Sequence, residues 1–204
     1  MSTAPQSQNP NSSDARTRLL TVASKLFWQN GFNGTSMRDI AREYGCKPAN
    51  IYNFFPGKEA VLYEVLHEEM TNLLEPLRPI LDDENGDPVQ QLRTLIRQHL
   101  SITLSYRRSA KVLFDVAMEH LEPEHRRAIV RLRDHYDAIL RAVLRRGRER
   151  SVFADIDEKF AGFMIASMIT RCRIWYDPEK SADFDDIADF IFRFTMHGIS
   201  PRPG

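Results

Sequence analysis

The sequence predicts an all-α protein, with about nine helices arranged as a small N-terminal domain and a larger helical body. Apolar residues recur at three- and four-residue spacing along most of the chain, and no segment sustains the period-two alternation of a strand. The breakers Gly31, Gly45, Pro56-Gly57, Pro76, Pro79 and Asp177-Pro178 sit where one periodic run gives way to the next. A chain of 204 residues with 42% hydrophobic and 27% charged content can bury a core of useful size.

The elements follow in order. Residues 1–13, MSTAPQSQNPNSS, carry no bulky side chain beyond Met1 and are expected to form a disordered tail. Asp14 can cap a first helix bearing Leu19, Val22, Ala23, Leu26 and Phe27, which ends near Gly31. Thr35 or Ser36 can cap a short second helix with Met37, Ile40, Ala41 and Tyr44, stopped by Gly45. Pro48 suits the first turn of a third, very short helix that runs to Pro56-Gly57. A fourth starts at Lys58 and sets Leu62, Val65, Leu66, Met70, Leu73 and Leu74 on one broad face until the prolines at 76 and 79 end or bend it. Pro88 opens a fifth that reaches about Tyr106, and further helices are expected at roughly 109–120, 123–149, 155–176 and 183–197. The expected domains are 14–66 and 67–204.

Charge and composition exclude several classes of function. With 28 Lys and Arg against 28 Asp and Glu, the chain does not coat nucleic acid by net charge. Locally the balance differs. From Asp14 to Val61, Arg16, Arg18, Lys25, Arg38, Arg42, Lys47 and Lys58 outnumber Asp14, Asp39, Glu43 and Glu59, while acidic stretches lie at 82–87 and 183–189. No run of eighteen apolar residues and no secretory leader pattern is present, so a cytoplasmic protein without membrane contact is expected. Cys46 and Cys172 lack CxxC or Cys/His spacing, and His67, His99, His120, His125 and His135 form no ligand pair, so neither a metal nor a cofactor is expected. GxSxG, P-loop, GxGxxG and HExxH are all absent, and the expectation is that the chain is not an enzyme. The Arg-rich run from Arg141 to Arg150 reads as a solvated helix end favoured by the dipole.

Two short helices joined by a Gly-containing turn, after a longer helix and before Pro-Gly, form a helix-turn-helix signature. Over residues 14–66 the chain resembles the tetracycline-repressor (TetR) family. FWQNGFNGTSMRDIA followed by REYGCKPANIYNFFPGKEAVLYEVL carries the likeness, with Gly31, Phe32, Thr35, Ser36, Ile40, Ala41, Gly45, Tyr52, Phe55, Lys58 and Glu59 at the family's positions. The resemblance implies a homodimeric repressor that binds a palindromic double-stranded DNA operator and is released by a small-molecule effector. It also implies that Lys47, Pro48, Ala49, Asn50 and Asn53 read bases. Tyr52 and Lys58 would contact phosphates, and Thr35 and Ser36 would offer hydroxyls and amides to the DNA backbone. Lys47, Pro48 and Asn53 depart from the residues common in the family, so no relative's operator can be carried over.

Beyond residue 66 no motif is as specific. The helix near 155–176 carries Phe160, Phe163, Met164, Ile165, Met168, Ile169, Cys172, Ile174, Trp175 and Tyr176 around its axis, as in a helix buried on several sides. With the final helix it is expected to form a four-helix homodimer interface through Met164, Met168, Phe184, Ile187, Ile191 and Phe194. An effector pocket is expected among Tyr63, Leu66, Met70, His99, Tyr106, Phe114, Met118, Tyr136 and Phe163. Arg171 and Trp175, four apart on one face, either hold an anionic ligand or leave Arg171 in an ion pair. Ile-Trp-Tyr-Asp-Pro at that helix end is similar to TetR-type regulators that sense acyl-CoA thioesters.

Overall fold

The computed structural model describes residues 10–105, 117–177, 179 and 183–201. The helices are α1 (Pro10–Asn30), α2 (Met37–Tyr44), α3 (Pro48–Tyr52), α4 (Lys58–Leu74), α5 (Arg78–Asp82), α6 (Pro88–Ser105), α7 (Pro123–Glu149), α8 (Glu158–Trp175) and α9 (Phe184–Ile199). The 3-10 turns Glu75–Leu77 and Met118–His120 complete them, and no strand occurs among the described residues. Tyr106, Phe114 and most of the helix expected at 109–120 lie outside the described residues, as do residues 1–9.

Two boundaries differ from expectation. α1 begins at Pro10, so residues 10–13 belong to the helix and Asp14 lies inside it. Pro10 costs nothing in a first turn, where no amide proton is needed. Downstream of α4 the prolines do not leave a bare loop: Pro76 and Pro79 each fall in the first two positions of a new short helical piece.

The chain divides into two compact units. One runs to Leu66 and also takes in the stretch that ends at Arg126; the other holds the residues from His67 and from Arg127 onward. A second domain continuous from residue 67 is therefore corrected. The physical reason is local. Glu59 accepts hydrogen bonds from the Glu122 amide (3.0 Å) and engages His125 Nδ1 (2.8 Å). Tyr63 stacks on the His125 ring at 3.9 Å, and Phe32 stacks on His120 at 4.6 Å.

In the first unit α1 packs on α2 and α2 on α3, around Leu19, Phe27, Ile40, Ile51 and Leu62. In the second, α6 packs against both α8 and α9, with Leu92, Leu95, Ile96, Leu100, Val143, Ile165 and Ile169 at the centre. The acidic start of α9 pairs with bases on α6: Asp189 with Arg93 at 2.7 Å, and Asp185 with Arg97. Arg146 and Arg150 correct the reading of the Arg-rich run as simply solvated. Arg146 is buried and donates to the carbonyls of Ile80 (2.8 Å) and Asp83 (3.0 Å), while Arg150 donates to Gly86 (2.8 Å) and Glu84. The loop after α5 ends in carbonyls that need donors, and these arginines supply them.

α7 closes on a Schellman motif, with the Val152 amide donating to Gly147 and the Ser151 amide to Arg148, both at 2.9 Å. Phe153 then folds back over Gly147, and a methyl group on Gly147 would overlap its buried ring. Gly147→Ala should destabilise the protein by about 1–3 kcal/mol, read as a lower urea midpoint with an unchanged m-value.

Candidate functional site

The first unit holds a helix-turn-helix whose parts are fixed mostly by backbone. Thr35 is buried, and its hydroxyl donates to the carbonyls of Gly31 (2.9 Å) and Leu26 (3.1 Å). Its role is to close the α1–α2 turn, which corrects the expectation that its hydroxyl is offered to DNA. Ser36 caps α2 in a reciprocal box with Asp39: the Asp39 amide donates to Ser36 Oγ (3.2 Å), and the Ser36 amide donates to the Asp39 carboxylate (3.0 Å). Hydrogen bonds from Ser36, then one from Arg42, hold the Asp39 carboxyl below the usual carboxylate range. Ser36 is exposed, but its hydroxyl and amide are both spent within the box.

α2 ends at Gly45, whose φ of 82° is left-handed, with amides of Gly45 and Cys46 donating to Ala41 at 3.0 and 2.9 Å. That turn delivers the chain to α3. Ile51 is 0% exposed and points into the core, whereas Lys47, Pro48, Ala49, Asn50, Tyr52 and Asn53 are all exposed. Tyr52 is 53% exposed. The outer side of α3 thus presents one cation, amides and a phenol with no apolar side chain larger than proline or alanine between them.

Lys58 departs from expectation. Its ammonium donates to the Phe32 carbonyl (2.7 Å) and lies 4.2 Å from the Phe32 ring centroid, and partial burial lowers its pKa. It ties α4 to the turn after α1, so in the protein alone one of the ammonium's donors serves the fold. Other head cations are likewise engaged: Arg16 with Glu64 (2.7 Å), Lys25 with Glu43 (2.7 Å), Arg18 with the Tyr44 hydroxyl (3.2 Å). Arg38 and Lys47 are exposed and form no ion pair among the described residues. Arg38 was not singled out by sequence reasoning; its place on the polar side of α2, one residue from the cap partner Asp39, was the available signal.

The residues expected to line a pocket separate. Met70, His99 and Tyr136 are buried in the second unit, while Tyr63, Leu66 and Met118 belong to the first. Phe163, Arg171 and Trp175 are exposed on α8 and are corrected from pocket to surface. Together with Phe160, Met164 and Ile174 they form a stripe at three- and four-residue spacing, opposite the buried Gly162, Ile165, Ile169 and Cys172. On α9, Phe190 and Phe194 are exposed and stacked 6.2 Å apart. Ile187 and Ile191 are buried, so those two are corrected from interface to core; Met168 and Phe184 are half-buried. α8 is therefore two-sided, not buried all round.

Sequence reasoning also missed a buried polar cluster in the second unit. Arg173 on α8, not Arg171, turns inward and meets Glu69 on α4 at 3.2 Å. On α6 and α7, His99 Nδ1 lies 2.7 Å from the Tyr136 hydroxyl. Burial first, then the Arg173 charge, push the His99 pKa down to about 3, and burial raises those of Glu69 and Tyr136. No group of three or more His, Cys, Asp or Glu residues able to hold a metal ion occurs among the described residues, and no described helix is long and apolar enough to cross a membrane.

Comparison with known proteins agrees with this geometry. Residues 19–65 match the family described as "Bacterial regulatory proteins, tetR family", and residues 85–199 match "Tetracyclin repressor-like, C-terminal domain". The chain is 24% identical to the HTH-type transcriptional repressor KstR2 of Rhodococcus jostii over 98% of both chains. It resembles the crystal structure of the TetR-family regulator PfmR from Thermus thermophilus with a TM-score of 0.80 and 28% identity, covering 91% of this chain and 100% of that one. The fold is also that of AibR in complex with isovaleryl coenzyme A and operator DNA, with a TM-score of 0.78 at 21% identity, over 88% and 97% of the two chains.

Two outcomes are expected from the geometry. Thr35→Val should cost roughly 1–3 kcal/mol of stability, by leaving a buried carbonyl unsatisfied, while the salt dependence of nucleic-acid binding stays unchanged. A steeper loss with salt dependence altered would return Thr35 to the interface. For His99 the folded value of about 3 lies below its ordinary 6.5, so protons bind preferentially to the unfolded chain between those limits. Its contribution is whole above pH 6.5 and fades as pH falls, by about one decade in the unfolding constant per pH unit. Denaturant titrations of wild type and His99→Gln should converge as pH is lowered from 7.5 to 5; parallel curves would contradict the neutral imidazole.

Proposed function

The chain belongs to the TetR family and is a DNA-binding transcriptional regulator, not an enzyme, and from that premise we propose that it is a homodimeric repressor released from a palindromic operator by a small, largely apolar effector. The observation that carries the reading is the division of α3: Ile51 is sunk in the core, while Lys47, Ala49, Asn50 and Asn53 are left outside. A major groove about 12 Å wide admits one helix presented in this way. Asn50 or Asn53 can pair two ways with adenine, Lys47 can donate to guanine, and Pro48 and Ala49 let the helix approach closely. Arg38 and the Tyr52 hydroxyl are suited to phosphates, with the exposed Ser36 at the same end of α2.

Dimerisation supplies the second reading helix. The exposed stripe of Phe160, Phe163, Met164, Ile174 and Trp175 on α8, with Phe190 and Phe194 on α9, is more apolar surface than a monomer keeps in water. A two-fold axis that pairs these helices buries it and sets two half-sites about one duplex turn, roughly 34 Å, or a multiple of that apart. The effector is assigned to the second unit, near Met70, His99 and Tyr136. AibR, which shares the fold, is found with an acyl-coenzyme A and operator DNA, and a thioester with an apolar acyl chain is one ligand of the expected kind. α4 leaves the first unit at Leu66 and enters the second at His67, so it is the covalent lever for release. Emptying an operator from 99:1 to 1:99 requires the effector to favour the released form by about 5.5 kcal/mol.

Selection of bound DNA from a random pool should return a palindrome. Against that site, Asn50→Ala should cost about 1–3 kcal/mol and relax one position per half-site, whereas Lys47→Ala should in addition lower the salt slope by about 1. Phe194→Asp combined with Met164→Asp should give a folded monomer by light scattering, with operator affinity lost. A variant that stays dimeric and bound would remove this interface.

A further inference from the structure

We infer that the Asn33-Gly34 peptide, in the turn before α2, is a site of spontaneous deamidation, and that the carboxylate formed there weakens the hold of the first unit on DNA. The inference goes beyond the proposed function but rests on its placement of DNA phosphates against the start of α2.

The sequence holds three Asn-Gly pairs, at 30–31, 33–34 and 85–86. A glycine after asparagine has no β-carbon to shield its amide nitrogen, so the backbone can reach the side-chain carbonyl. The structure separates the three pairs. Asn30 is the last residue of α1, where a side chain leans back toward the helix start and away from the nitrogen that follows it. Asn85 is clasped by Arg150, which donates to the carbonyls of Glu84, Asn85 (3.4 Å) and Gly86 (2.8 Å), so rotating that peptide unit breaks hydrogen bonds. Asn33 and Gly34 are both exposed, and neither the Asn33 carboxamide nor the Gly34 amide has a hydrogen-bond partner among the described residues. The chain on either side is held: Thr35 donates through its hydroxyl to Gly31 (2.9 Å) and Leu26 (3.1 Å), and Lys58 donates to Phe32 (2.7 Å). One loose peptide unit thus stands at the apex of a turn fixed at both ends.

In the reaction the Gly34 amide gives its proton to hydroxide, and its nitrogen attacks the carbonyl carbon of the Asn33 side chain. A ring N–C bond forms, the carboxamide C–N bond breaks, and the leaving nitrogen takes a proton from water and departs as ammonia. The cyclic imide then adds one water and opens. Breaking the new bond gives aspartate at position 33, while breaking the original peptide bond gives the isoaspartyl form, whose main chain runs through the side-chain carbon. Water is the only co-reactant, and nothing is oxidised or reduced. Either product adds a negative charge no more than about 11 Å along the chain from Ser36. That is about one Debye length, so the charge repels phosphates at the start of α2. The isoaspartyl form also lengthens the main chain where there is no slack: a β-carbon on Gly34 would lie 2.3 Å from the Asn30 carbonyl oxygen.

The test follows the full-length protein in mildly alkaline buffer, fresh and after incubation, beside an unstructured peptide spanning residues 28–38. Peptide mass mapping and enzymatic methylation of isoaspartate locate the product. Binding to the duplex that fresh protein selects from a random pool, together with the thermal midpoint, reports its effect. Conversion is expected at position 33 ahead of 30 and 85, and affinity should fall about tenfold or more in the converted protein. Asn33→Asp, assayed fresh, should lose about tenfold at low salt and less at high salt, with its thermal midpoint kept. Asn33→Gln, whose longer side chain closes a less favourable ring, should hold its own starting affinity through the incubation. Conversion led by position 30 or 85, no conversion at 33 by the time the peptide is fully converted, or equal affinity before and after conversion would each overturn the inference. If position 33 converts but fresh protein selects no duplex, the modification stands, and the placement of DNA falls together with the effect on it.

Discussion

The placement of α3 in the first unit, the head of the protein, depends on one apolar anchor, the burial of Ile51. α3 is five residues long, far below the length at which a helix holds itself together in water. Its first turn is preset by Pro48, its approach angle by the left-handed Gly45, and its position by a single side chain with no remaining exposure. Because this one residue and the backbone turns carry the structure, the other positions of α3 are released from structural duty. Lys47, Ala49, Asn50 and Asn53 can be chosen for what they meet outside the protein. Thr35 and Ser36 tie down the turn between α1 and α2, and Lys58 holds the start of α4 to the Phe32 carbonyl.

The second unit inverts the usual distribution of polarity. It exposes phenylalanines on α8 and α9 while burying an arginine, a glutamate and a histidine between its helices. Each inversion costs free energy in an isolated chain: the aromatic stripe stays in contact with water, and the polar groups lose their hydration on burial. A protein whose stability is distributed in this way responds to what it binds, which is the physical requirement of a regulator. The ion pairs of Arg93 and Arg97 with the start of α9, and the arginines that cap the loop after α5, supply fixed structure that does not depend on a partner.

The stretch that ends at Arg126 shows how distant segments join the head. Glu59 sits in the first turn of α4, a position that suits a carboxylate by the helix dipole alone. In the fold it gathers the Glu122 amide and His125, with Tyr63 one turn later closing over the imidazole. No local pattern marks residues more than sixty positions apart as neighbours.

What the sequence by itself determined is everything that depends on near neighbours along the chain: helical period, the Ser36 cap, the glycine stops at 31 and 45, the prolines that open α3, α6 and α7, and with them the helix-turn-helix and its outward residues. Only the tertiary structure decided which side of a two-faced helix is core. Arg173 and not Arg171 faces inward, Phe163 and Trp175 face out, Ile187 and Ile191 face in, and Thr35 and Lys58 serve the fold. The reason is that α8 and α9 are apolar on more than one side, so periodicity leaves their rotation about the helix axis undefined until α6 packs against them and selects one face of each.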